Sequence, residues 1–202
     1  MSADLSRLGE LLDRQDILDA LTRFARGMDR FDRDAFLSAF HPDAEIAAGP
    51  FVGQPAPLYD WARDLHDHGQ SATHHVLLNH SCDLDGDTAH TETYYLFAAR
   101  NRDESNWIAG GRYIDRFERR DEQWRIAVRS TVIEYSGLLP TMPIPFGDVP
   151  GIDLNGVATR GIDDLSYRRP LTNLRAAHHP GGMMLMSWAR RPDSVRPSIL
   201  RR

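Results

Sequence analysis

The chain contains no lysine, so all 24 of its basic residues are arginines. Without lysine, the sequence excludes a Schiff-base nucleophile, a lysine general base and the phosphate-binding loop that requires a lysine. The single cysteine, Cys82, excludes an internal disulfide and fits a reducing cytoplasm. No apolar run reaches about 18 residues, so no segment is predicted to span a membrane.

Composition places the chain among ordinary globular proteins. Its 202 residues suit one domain with an appendage, and its hydrophobic content of 41% and charged content of 26% are typical values. The formal charge of −5 predicts neither nucleic acid nor an anionic membrane as a partner. The first residues lack the basic-then-apolar pattern of a secretion signal, so we expect a cytoplasmic protein.

The periodicity of apolar residues predicts helices first and long strands afterwards. Spacings of three and four predict helices at about residues 6–30, 32–40 and 55–69. A short strand is predicted at 44–48, and long strands at 73–84, 88–100, 107–119 and 124–135. Helices followed by strands that are joined by hairpins indicate an α+β fold, with the helices packed on a curved antiparallel sheet.

The sequence changes character after residue 137. Three prolines within residues 139–145 exclude a regular helix or a central strand there. A short apolar patch at 183–188 stands within a tail rich in arginine and proline. We therefore predict a domain at 1–137 and a C-terminal extension at 138–202 that covers a pocket or joins subunits.

The strand predicted around residues 73–80 contains unusually many polar side chains for a strand. Side chains alternate faces along a strand, so His75 and Asn79 are predicted to share one face, and His74 and His80 the other. At least one of these polar groups then lies beside an apolar interior. A buried polar group needs a hydrogen-bond partner or a functional role.

Several kinds of active site lack their sequence signatures. The nine histidines form neither a helical HExxH motif nor a Cys/His cluster, so no metal is predicted. No GxSxG motif indicates a serine nucleophile, and no glycine-rich fingerprint follows a strand. Acid–base chemistry without a cofactor remains, and it needs a histidine or carboxylate base, a charge-stabilising donor and an apolar cavity.

Residues suited to such chemistry are present. Asp29 continues the apolar face of the first helix at its C-terminal end, which is unfavourable for an anion. A simple capping role at the next turn would also account for Asp29. His75, Arg129 and the tyrosines Tyr95 and Tyr113 are further candidates on the strands. A histidine held by a carboxylate is a good general base, because the anion orients the ring and stabilises imidazolium.

Ordered short motifs resemble a known superfamily over roughly residues 5–137. They are LDRQDI at 12–17, GMDRFD at 27–32, FHPDA at 40–44, THH at 73–75, LDGDTA at 84–89 and GRYIDRFERRDEQWRI at 111–126. In this order they resemble the nuclear transport factor 2-like superfamily, specifically its SnoaL-like branch. Similar members include scytalone dehydratase, hexachlorocyclohexane dehydrochlorinase and a diarylpropane lyase. The resemblance implies a cone-shaped α+β barrel in which helices close a deep cavity.

The resemblance also implies a catalytic arrangement. Asp29 and His75 match the aspartate–histidine dyad of the dehydratase and dehydrochlorinase members, and Arg129 matches an arginine on the last strand. The expected function is a cofactor-independent lyase that acts on a small hydrophobic substrate of aromatic or polycyclic structure. Expected substrate contacts are Tyr113, Tyr95, Asn79 and Trp107.

Departures from the relatives leave other functions open. Phe24 stands where the dehydrochlorinase has a lysine, and Thr73 where it has a cysteine, so elimination of a halide is not supported. An isomerase or cyclase would use the same pocket, and the superfamily also contains non-catalytic binding modules. No cofactor is expected, and the resemblance suggests a homodimer or homotrimer.

Overall fold

The structure is a computed structural model that describes residues 2–176, and the apolar patch predicted at 183–188 lies outside the described residues. Helices and strands follow one another as α1 Ser2–Asp29, α2 Arg33–Leu37, β1 Phe40–Ala48, β2 Phe51–Gly53, α3 Pro55–Gly69, β3 Gln70–Asp85, β4 Thr88–Asn101, β5 Asn106–Arg120 and β6 Gln123–Leu139. The predicted α+β class is confirmed. The short strand β2 and the start of β1 at Phe40 were not predicted.

The six strands form one curved sheet in the order β2-β1-β6-β5-β4-β3. Strands β3 to β6 are joined by hairpins and pair antiparallel, as predicted. Strand β1 instead pairs parallel with β6, so the sheet is mixed rather than wholly antiparallel. The cause is topological, because helix α3 and four strands separate β1 from β6 along the chain and no hairpin links them.

The second half of α1 packs against β3 and β6 and forms the centre of the core. Its apolar face is fully or almost fully buried, with Ile17, Leu21, Phe24 and Met28 all at most 7% exposed. The first half differs, since its leucines, such as Leu8, remain exposed. The helix therefore uses only its C-terminal half to bury apolar area, and this half ends at Asp29.

A close approach of two helices fixes the end of α1. A Cβ atom added at Gly27 would lie 2.4 Å from the backbone nitrogen of Phe36, so only glycine allows α2 to pack this near. The N–H of Asp32 donates to the carbonyl of Gly27, and the Asp32 side chain accepts from the N–H of Ala35 as the predicted N-cap. These two hydrogen bonds of Asp32 fix the turn that follows Asp29 to both α1 and α2.

A β-bulge overturns one prediction on β3. The pairing with β4 shifts between Leu77 and His80, which inserts an extra residue and reverses the alternation beyond it. His80 consequently turns inward and hydrogen-bonds Thr93 Oγ1 at 2.8 Å, whereas Asn79 is exposed. The prediction that His75 and Asn79 share a face is therefore wrong, and Asn79 is not among the interior residues.

Part of the predicted extension returns to the domain. Residues 2–141 and 158–167 form one compact unit, and residues 142–157 and 168–176 group separately. We call residues 158–167 the strap. The second group consists of turns and a short 3-10 helix, Ile152–Asn155. In the described part of the chain, no helix is long and apolar enough to cross a membrane.

Candidate active site

The structure brings Asp29 and His75 into direct contact across 46 positions of sequence. His75 Nδ1 lies 2.7 Å from Asp29 Oδ1, and the backbone N–H of His75 donates to Asp29 Oδ2 at 2.8 Å. Both side chains are largely buried, at 11% and 12% exposure. The end of α1 thus holds the ring and the backbone of β3 at once.

The pairing determines which ring nitrogen is free. An ionised carboxylate only accepts hydrogen bonds, so Nδ1 of His75 must carry the proton that Asp29 accepts. In the neutral ring the lone pair is then on Nε2. Within residues 2–176, Nε2 has no hydrogen-bond partner in the protein, so it is free to accept a proton from a bound molecule.

The surroundings keep Asp29 ionised. Burial is the largest single influence and raises the pKa of Asp29, because a buried carboxylate loses its hydration. The hydrogen bonds and the charge of His75 act in the opposite direction and together exceed it. The net result is a pKa of Asp29 below its ordinary value of 3.8.

Aromatic rings enclose His75. Its ring centroid lies 4.8 Å from that of Phe97, and 5.9 Å from those of Phe24 and His66. His66, in the last turn of α3, is half-buried, and its Nδ1 contacts the Gln70 side-chain oxygen at 2.8 Å. Burial lowers the pKa of His66 to about 4, so its ring is neutral near pH 7.

Arg129 is buried on β6 at 2% exposure. Its Nε and Nη2 donate to the two carboxylate oxygens of Asp115, each at 2.7 Å. The guanidinium carbon lies 4.2 Å from the ring centroid of Phe24 and 4.3 Å from that of Tyr113. Its Nη1 is buried and has no hydrogen-bond partner among residues 2–176. This nitrogen therefore keeps its N–H donors unpaired within that range, and Phe24 contacts both the guanidinium and the His75 ring.

The predicted aromatic contacts occupy the inner face of β4 and β5. Tyr95 and Tyr113 are both buried and stack with ring centroids 4.4 Å apart, and burial raises the pKa of each hydroxyl. Tyr113 also meets Phe24 edge-on at 5.4 Å. Trp107 is half-buried and packs on Phe97 at 5.1 Å. Phe24 and Tyr113 thus pack against Arg129, and Phe97 links Trp107 to the His75 ring.

Two functional candidates were missed from the sequence. Asp115 faces Arg129 directly across the β5–β6 pair, and its place two residues after Tyr113 on a strand was a signal for a shared inner face. Arg160 on the strap donates from Nη1 to the carbonyls of His66 and Gln70. No local pattern indicates these contacts, because Arg160 lies 94 residues after His66 and 90 residues after Gln70.

Metal ligands are not grouped in the described residues. Over positions 2–176, no three His, Cys, Asp or Glu side chains lie close enough together to hold an ion. The pair His178 and His179 lies outside the described range.

Comparison with solved structures identifies the fold. The chain is similar to the hexachlorocyclohexane dehydrochlorinase LinA-type3 of Novosphingobium barchaimii, with 19% identity, a TM-score of 0.61 and coverage of 70% of this chain and 97% of the other. A protein of Novosphingobium aromaticivorans, named as a candidate scytalone dehydratase, gives 18% identity, a TM-score of 0.58 and coverages of 66% and 91%. Rv3472 of Mycobacterium tuberculosis, of unknown function, gives 21% identity, a TM-score of 0.55 and coverage of 61% of this chain and 77% of the other.

Comparison with curated proteins finds no significant match. The sequence profile described as the SnoaL-like domain, in contrast, matches residues 9–130, which is more than half of the chain. The matched region contains Asp29, His75, Asp115 and Arg129 and ends before the strap. The predicted resemblance is thereby confirmed, and the chain belongs to the SnoaL-like domain family.

Proposed function

We propose that this protein is a cofactor-independent lyase that removes a proton from a small hydrophobic substrate and eliminates a small leaving group. The observation that carries the proposal is that both carboxylate oxygens of Asp29 accept hydrogen bonds from His75. This arrangement fixes the ring with its Nε2 lone pair directed away from the carboxylate. Two proteins of similar structure are named as a dehydrochlorinase and a candidate dehydratase, and both names denote elimination reactions.

In the proposed reaction, His75 Nε2 takes a proton from carbon. The imidazolium that forms faces the ionised Asp29, so the positive charge is stabilised where it develops. Two electrons from the broken C–H bond form the new double bond, and the leaving group departs with its own electron pair. A leaving hydroxyl takes the proton from the His75 imidazolium and departs as water, which returns the ring to its neutral form.

Arg129 supplies the second part of the proposed mechanism. Its position is fixed by Asp115, and Nη1 has no hydrogen-bond partner in the part of the chain that the structure describes. A donor held in place before the reaction stabilises developing negative charge without the cost of reorganisation. Tyr113 and Tyr95 keep their protons because burial raises their pKa values, so each hydroxyl can also donate to a substrate oxygen.

Product mass tests the proposed reaction class. The purified protein would be incubated with a panel of ring-bearing alcohols and diaryl compounds, and products analysed by mass spectrometry. A lyase gives a product lighter by water or another small molecule, such as formaldehyde. An isomerase or cyclase would convert a panel member without any change in mass, and a binding module would retain it unchanged.

We also propose that copies of the chain associate through the outer face of the sheet. In the register, Val76 on β3 pairs with Leu96, which pairs with Gly110, which pairs with Tyr135 on β6. Val76 and Tyr135 are 39% and 55% exposed, so this row is apolar yet uncovered. Light scattering coupled to size-exclusion chromatography should give a dimer or trimer mass, and a monomer at high micromolar concentration would contradict the proposal.

A further inference from the structure

The strap is attached to the turn that follows Asp29. The N–H of Gly161 donates to the carbonyl of Arg30 at 2.6 Å, and the Tyr167 hydroxyl donates to Asp32 Oδ2 at 2.6 Å. The guanidinium of Arg26 lies over the Tyr167 ring at 4.3 Å. These contacts hold residues 158–167 against the end of α1, although the family profile ends at residue 130.

Arg160 connects this turn to the start of β3. Its guanidinium lies 4.4 Å from the ring centroid of Phe31, two residues after Asp29. Its Nη1 donates to the carbonyl of His66 at 3.1 Å and to that of Gln70 at 3.2 Å. The ring of His66 in turn meets His75 edge-on. The strap thus brings a cation to the two chain segments that carry the dyad.

Within residues 2–176, one edge of the Arg160 guanidinium has no partner. Nε and Nη2 are both buried and make no hydrogen bond to this part of the chain, whereas the same two nitrogens of Arg129 bind both oxygens of Asp115. This is the edge with which an arginine binds a carboxylate through two parallel hydrogen bonds. Buried donors without partners are rare and destabilising, so an anion that pairs with this edge would be bound favourably.

The acidic groups that act electrostatically on Arg160 are already occupied. Burial lowers the pKa of Arg160, and the charges of Asp67 and Asp29 act against this effect. Asp29 uses both oxygens for His75, and Asp67 lies 3.6 Å from Arg102. Neither carboxylate makes a hydrogen bond to the free edge. Both donors of this edge are therefore unused by these two carboxylates.

We propose that Arg160 forms an anion subsite beside the Asp29–His75 dyad, where its Nε and Nη2 bind a carboxylate of the substrate. The proposal rests on the proposed function, since it takes the dyad to be the reacting site. The aromatic rings around His75 suit an apolar ring on the same ligand. The substrate class is then a small hydrophobic carboxylic acid whose acid group points toward the strap.

Calorimetric binding of trans-cinnamate and of its primary amide tests the subsite. Cinnamate should bind the wild-type protein, and cinnamamide should bind at least about tenfold more weakly, because it lacks the charge and the second acceptor oxygen. Arg160→Gln should weaken cinnamate binding by a similar factor. Arg168→Gln is the matched control, since Arg168 is an exposed arginine just beyond the strap, and it should bind cinnamate like the wild type.

A second variant keeps the test valid if Arg160→Gln is unfolded by circular dichroism. Arg160→Lys retains the charge but lacks the planar pair of donors, and it should also bind cinnamate several-fold more weakly. The proposal is overturned if cinnamate does not bind, if cinnamamide binds equally well, or if the folded Arg160 variants bind like the wild type. His75→Ala should retain cinnamate binding, so failure of the dyad as a base and failure of the subsite give different results.

Discussion

Replacing Asp29 by asparagine keeps the shape of the side chain and removes one acceptor. Both carboxylate oxygens accept from His75, one from the backbone N–H at 2.8 Å and one from Nδ1 at 2.7 Å. Asparagine offers one acceptor oxygen and a donating NH₂ group, so it cannot accept from both. Either the backbone N–H loses its partner, or Nδ1 becomes the acceptor and the ring proton moves to Nε2.

The expected loss of stability depends on pH. At neutral pH, losing a charge-assisted hydrogen bond to a buried partner costs about 1.5–3 kcal/mol of unfolding free energy. The pKa of Asp29 is lower in the folded than in the unfolded chain, so its stabilising contribution is present above about pH 4 and is lost as the pH falls through the folded-state pKa. Asparagine does not titrate, so the gap between the two proteins should close in acid.

Urea unfolding followed by tryptophan fluorescence measures this gap. The wild type and Asp29→Asn would be compared at about pH 7 and about pH 3, and linkage predicts a smaller gap at the lower pH. Asp83→Asn is the control, because Asp83 is an exposed aspartate on β3, and its substitution should cost little at either pH. An equal loss for Asp29→Asn at both pH values would refute the view that an ionised Asp29 holds His75.

Three further predictions concern the surroundings of the dyad. Asp115→Ala leaves the Arg129 guanidinium buried without its partner and should cost about 3–5 kcal/mol of unfolding free energy in urea, while a cost below about 1 kcal/mol would contradict this. His66 should titrate in NMR spectra with a pKa of about 4 because it is buried, and a midpoint above about 6 would count against that burial. Gly27→Ala forces a Cβ atom to within 2.4 Å of the Phe36 nitrogen and should cost about 1–3 kcal/mol, so an unchanged melting temperature would exclude the close packing.

The residues of the dyad could be predicted because their local patterns persist in the fold. The apolar spacing of α1 leads to Asp29, and the alternation along β3 up to Leu77 places His75 on the inner face. Their pairing came from the family resemblance rather than from periodicity. Arg129 could likewise be assigned to a strand, but its hydrogen bonds to Asp115 required the register of β5 and β6.

Other features depend on contacts that local patterns do not carry. The bulge between Leu77 and His80 reverses the inside and outside of β3, so strict alternation misplaced Asn79. His66 lies in the last turn of α3, where solvation is a reasonable expectation, yet packing against Phe97 buries it. The position of Arg160 depends on a strap that returns after an irregular segment, and sequence spacing gives no measure of such a return.

The central claim is that His75, and no neighbouring histidine, is the base. The most direct test compares kcat/KM of His75→Ala with that of His74→Ala on a substrate found by the product-mass screen. His74 is the adjacent residue on the exposed face of β3, so its substitution perturbs the same strand without touching the dyad. His75→Ala should lower kcat/KM by about 10²–10⁴-fold while the fold is retained, and His74→Ala should leave it unchanged. Wild-type rates in a folded His75→Ala protein would contradict the account.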